Sequence, residues 1–133
     1  MKNSFLIISI LATVLLTSCQ GSDKVEVGNK TSMQVEQFFD AGEVIKGEKV
    51  MAEFTIINTG NFPLVVSAIN GSCTCTVVDK PEDPIMPGKK FLVKATVDTE
   101  RTGLGAIAKG ITIVANTEPS LTQVVIKAMV KNK

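Results

Sequence analysis

Residues 49–70 read "KVMAEFTIINTGNFPLVVSAIN", and their pattern decides the fold. The first ten alternate, so that Val50, Ala52, Phe54 and Ile56 share one face, as a half-buried strand requires. "TGNFP" then breaks the pattern. Gly60 and Asn61 suit positive φ there, and Pro63 fixes the start of the next strand, "LVVSAIN".

Moving outward, the same grammar repeats. "MQVEQFFDAGEV" alternates and turns at "KGE". "FLVKATVDT" sets Phe91, Val93, Ala95 and Val97 against polar neighbours. "KGITIVAN" and "LTQVVIKAMV" follow, divided by "EPS". About seven short strands separated by turn residues, with no helical stripe of useful length, predict an all-β, antiparallel β-sandwich. Parallel pairing would need helical crossovers, for which the chain leaves no room. The expected core is Phe39, Phe54, Ile56, Leu64, Val66, Phe91, Val93, Val97, Ile111, Ile113, Val125, Ile126 and Met129.

The N-terminal stretch reads differently. Lys2 precedes the apolar run "FLIISILATVLL", which is shorter than the roughly 20 residues a membrane-spanning helix needs but suits a signal peptide. It ends in Leu16-Thr17-Ser18-Cys19, which resembles a bacterial lipobox. The resemblance implies cleavage before Cys19 and acylation of that residue. Two or more acyl chains hold a protein stably on a membrane. "QGSDKVEVGNKTS" then has the composition of a flexible tether. The expected organisation is a signal peptide (1–18), a lipidated Cys19 with tether (19–32) and one sandwich domain (33–133). Gln20, where an aspartate would favour inner-membrane retention, points to the outer membrane; the sequence leaves open which face.

Removing residues 1–18 takes away one lysine and leaves 13 basic and 13 acidic residues. That balance lacks the basic footprint of a nucleic-acid binder. The chain has no histidine, which excludes a Ser-His-Asp arrangement and removes the commonest metal ligand. Gly103-Leu104-Gly105 reads as a hairpin turn and Asn58-Thr59-Gly60 as turn chemistry.

Three blocks carry a further likeness: "FTIINTGNFPLVVSAINGSCTCT", "PIMPGKKFLVKATVDT" and "GAIAKGITIVANTEP". They resemble a bacterial family catalogued as domain of unknown function 1573, over roughly residues 35–130. The resemblance implies an immunoglobulin-like sandwich on secreted or lipid-anchored envelope proteins, with no established activity. The family's S-C-G-C-T is here Ser72-Cys73-Thr74-Cys75-Thr76, with threonine in place of a flexible glycine.

Cys73 and Cys75 admit three readings. In an extended strand their Cα atoms stand about 6.6 Å apart with parallel Cβ vectors, at the limit for a disulfide. A bulge at Asn70-Gly71-Ser72 would allow a strained, redox-active bridge. Two thiolates, with Met86 nearby in "PIMPG", suit a soft ion such as copper(I). Otherwise both are small packing residues. The expectation taken forward is a non-catalytic, lipid-anchored binding or scaffolding module with an envelope protein as partner, and with no resident cofactor and no small-molecule substrate. Partner contacts are expected from Pro81, Glu82, Asp83, Pro84 and Met86 in the 80–90 loop. A redox or copper site at Cys73 and Cys75 is the alternative.

Overall fold

The computed structural model describes residues 28–72 and 76–133. Eight strands run in the order β1 (Met33–Gln34), β2 (Phe38–Ile45), β3 (Lys49–Asn58), β4 (Val66–Gly71), β5 (Thr76–Val78), β6 (Lys90–Asp98), β7 (Gly105–Ala115) and β8 (Leu121–Lys131). They form two four-stranded sheets, β1-β3-β6-β5 and β2-β8-β7-β4. The immunoglobulin-like sandwich read from the sequence is therefore the fold, with β1 as a two-residue addition to seven longer strands.

Alternation explains the core. Val50, Ala52, Phe54 and Ile56 lie opposite Val97, Ala95, Val93 and Phe91, and all except the half-buried Phe91 are buried. From the other sheet Ile111, Ile113, Val124, Ile126 and Val130 close the interior. Phe39 on β2 meets Phe54 on β3 edge to face at 6.1 Å, which ties the sheets together across the core.

Three expectations need correcting. Met129 is 41% exposed and Val125 is only half-buried, because Ile126 fixes the parity of β8 and sends odd-numbered residues outward. Val124, Ala128 and Val130 take the inner positions. The pairing of β2 with β8 is parallel. A direct parallel connection needs a crossover, but these two strands are separated in sequence by the rest of the domain, so no helix is required. The 99–104 connection is not a hairpin: β6 and β7 belong to different sheets, and a 3-10 turn at Thr99–Arg101 carries the chain between them.

That turn is pinned by buried Thr99. Its Oγ1 donates to Glu48 O at 2.6 Å and accepts from Gly47 N at 2.9 Å, fixing the β2–β3 turn. Thr99→Val keeps the shape and removes both bonds. We expect it to cost about 2 kcal/mol, read as a lower urea midpoint at unchanged slope.

Strand directions define two ends. The entry end gathers residues 28–32, the 59–63 turn, the 85–89 segment and the 116–120 loop. The far end gathers residues 46–48, 99–104 and 131–133.

Candidate binding surfaces

Asn58 organises the entry end. It is fully buried, and its amide is saturated: Nδ2 donates to Phe62 O and Ile85 O, both at 2.8 Å, and Oδ1 accepts from Thr31 Oγ1 and Gly60 N, both at 3.0 Å. One side chain thus joins the entering chain, the turn after β3 and the 80–90 loop. Asn116 does the same across the entry end: its Nδ2 donates to Asn29 O and Pro63 O, and its Oδ1 accepts from Val65 N at 2.7 Å. The turn chemistry expected of Asn58-Thr59-Gly60 is present. Its mechanism differs, since neither Gly60 nor Asn61 has positive φ. Gly60 is needed for space: a Cβ there would overlap Thr31 Oγ1 and stand 2.5 Å from Ser32 N.

The 80–90 loop is only partly available for contacts. Pro81 is buried and Pro84 half-buried, while Ile85 is buried and pairs with Leu64 through two backbone hydrogen bonds of 2.9 Å. Glu82, Asp83 and Met86 are exposed. Cys19, Cys73 and Cys75 lie outside the described residues. The flanks of the cysteine pair are placed: Ser72 N donates to Gly110 O at 2.8 Å in one sheet, and Thr76 pairs with Val97 in the other. Among the described residues, no cluster of three or more carboxylate or cysteine side chains could hold a metal ion.

A surface missed in the sequence lies on the outer side of the β2-β8-β7-β4 sheet. Pairing aligns Ala106, Ala108, Gly110, Thr112 and Val114 of β7 with Met129, Lys127, Val125, Gln123 and Leu121 of β8. Lys127 is the one charge among these ten. The ten corresponding outward positions of β3 and β6 hold five charges, Lys49, Glu53, Lys90, Lys94 and Asp98, set among exposed Met51 and Leu92, with a Glu53–Lys94 pair at 4.0 Å. On the apolar face Ala106 and Ala108 floor a shallow groove walled by Met129, Lys127, Asp40 and Glu43. Exposed Phe38 borders it, with Lys127 Nζ 4.5 Å from its ring centroid. The signal in the sequence was that "LTQVVIKAMVK" is apolar at both parities, so one set had to face outward.

The sheet edges are guarded except along β3, where β1 covers only Ile57 and Asn58 and no other strand among the described residues pairs with 49–56 on that side. β1 and β5 are two and three residues long. β2 is bulged between Asp40 and Glu43, where Asp40 Oδ1 accepts from Gly42 N at 2.8 Å and Gly42 takes φ +67°. β4 shifts register between Val66 and Ala68. Short, bulged and charged edges discourage a visiting strand.

Among solved structures, a protein of unknown function from Porphyromonas gingivalis W83 is similar, with TM-score 0.67 and 24% identity over 82% of this chain. The present chain spans about half of that one, 51% of its length. The VesB protease of Vibrio cholerae matches with TM-score 0.58 and 14% identity, over 74% of this chain and 31% of its own. A PapD-like domain of human CEP192 matches with TM-score 0.56 and 12% identity, over 78% and 88% of the two chains. These likenesses show the fold. No curated protein matches in sequence. The model of the family described as "Protein of unknown function (DUF1573)" matches residues 31–130, and the chain belongs to that family.

Proposed function

We propose that this protein is a non-catalytic, lipid-anchored binding module of the bacterial envelope, most consistent with the outer membrane. It recognises a protein partner through the outer face of the β2-β8-β7-β4 sheet. The observation that carries the binding role is the contrast between the two outer faces, one half charged, the other with a single charge in ten positions. An outer sheet face with so few charges and with exposed Leu121 and Met129 suits an interaction site. Strand addition is the less suitable mode at β2 and β4, which are bulged, and at β1 and β5, which are two and three residues long; the side of β3 beyond β1 is the place left for it. The 80–90 loop offers fewer free side chains, with Pro81 and Ile85 packed inward. The partner is expected to present a flat apolar patch rimmed by charges that complement Asp40, Glu43 and Lys127. Leu16-Thr17-Ser18-Cys19 supports the anchor.

Ala108→Glu tests the face. Ala108 is exposed, so the substitution should change stability by less than about 0.5 kcal/mol. A cross-linked species formed in intact envelopes by the native chain should fall at least tenfold in the variant, at unchanged thermal midpoint. Persistence of that species at native level would refute binding through this face. Radiolabelled palmitate incorporation, lost in Cys19→Ser, tests the anchor separately.

A further inference from the structure

We infer that the entry end of the sandwich rests on the bilayer, with Phe62 and Met86 in its interfacial layer, so that the far end points away from the membrane. The inference depends on the anchor at Cys19 proposed above. Eight residues, 20–27, separate Cys19 from Gly28, where the described chain begins. Cys19 and Gly28 are thus nine Cα–Cα steps apart, at most about 32 Å. The ten rises of β7 alone are about 34 Å long, and the 99–104 and 116–120 connections extend the sandwich beyond both of its ends. A sandwich standing on its far end would lift Gly28 beyond the reach of the anchor.

The chain is also held firmly where it enters. Thr31 N donates to Asn116 O at 2.9 Å, Asn116 Nδ2 to Asn29 O at 2.8 Å, and Lys30 pairs with Glu118. The anchor therefore pulls on this end of the sandwich directly.

The chemistry of the entry end suits the pose. At the entry end Phe62 and Met86 are each 43% exposed, on turns whose carbonyls at Phe62 and Ile85 share the Asn58 amide nitrogen. Both tips stand on backbone tied to the one buried Asn58 side chain, with exposed Lys89 and Lys90 following Met86 and exposed Lys30 near Phe62. Aromatic and thioether side chains flanked by lysines suit the boundary between headgroups and acyl chains, where the ammonium groups stay in water. The far end also exposes apolar side chains, Ile45 and Leu104, among Glu48, Glu100, Arg101, Lys131 and Lys133, so the tether decides between the two ends.

The chain contains no tryptophan and no tyrosine, so a single introduced indole is an unambiguous reporter. The acylated full chain is reconstituted in vesicles of phosphatidylethanolamine and phosphatidylglycerol, with or without phosphatidylcholine brominated in its acyl chains. Phe62→Trp and Met86→Trp report on the entry end. Leu104→Trp reports on the far end, at a position 56% exposed, and Met129→Trp on the apolar sheet face. We expect at least twofold quenching at positions 62 and 86 and no change at 104 and 129. Vesicle-bound protein with positions 62 and 86 unquenched, or with 104 or 129 quenched as strongly, overturns the pose and leaves the anchor standing. Flotation with vesicles that is unchanged in Cys19→Ser removes the anchor, and the pose with it.

Discussion

Asn58→Ala should destabilise the domain by about 4 kcal/mol, enough to lower its melting temperature by some 15–25 °C. The substitution removes four hydrogen bonds at once, to the carbonyls of Phe62 and Ile85, the hydroxyl of Thr31 and the N–H of Gly60; of these groups only Ile85 O keeps a second partner, Leu64 N. A buried group left unpaired costs about 1–3 kcal/mol. The sum stays below four full penalties because water reaches the exposed turn at Phe62. The effect should be spread over the entry end. Amide exchange would quicken at Gly60 and Ile85 before it does at Val93 in the centre of the sheet. A loss under about 1 kcal/mol in urea titration would show that Asn58 is not the organiser described here.

Gly60→Ala is expected to cost about 3 kcal/mol, which is unusual for a glycine in an exposed turn. Its φ is not in the left-handed region, so alanine brings no backbone strain of its own. The penalty comes from Thr31 Oγ1 and Ser32 N, which stand where the methyl group would go. Ser32 is further fixed by its carbonyl, which accepts from Thr59 N at 3.0 Å. The coupling is testable in a double-mutant cycle. Thr31→Ala should recover part of the loss by removing the hydroxyl, while the overlap with the Ser32 backbone remains. Strict additivity of the two substitutions in urea unfolding would contradict this origin.

The glycine also shows why some features were legible in the sequence and others were not. "TGNFP" announces a turn because glycine and proline act locally. The reason for Gly60 is a neighbour almost thirty residues away, which no local pattern reveals. Period-two alternation placed β3 and β6 correctly, since polar residues mark their outer faces. It failed on β8, where Val124, Val125 and Ile126 are consecutive apolar residues and only the packed sheet chooses between them. That ambiguity also concealed the apolar face. A parallel pairing of the first long strand with the last was likewise invisible, because the crossover rule concerns strands joined directly. The 80–90 loop stands out in the sequence by its length, yet Pro81 and Ile85 make it partly a packing element.

Under the proposed anchoring, the sheet edges acquire a consequence. Copies confined to two dimensions meet far more often than the same number in solution, and exposed strand borders would let them zip into ribbons. The β2-β8-β7-β4 sheet is kinked out of register at both borders, which blocks that route, and the stretch of β3 beyond two-residue β1 is the one regular border through which copies could zip. Crowding at a membrane would therefore test a single strand of this fold and spare the sheet that carries the apolar face.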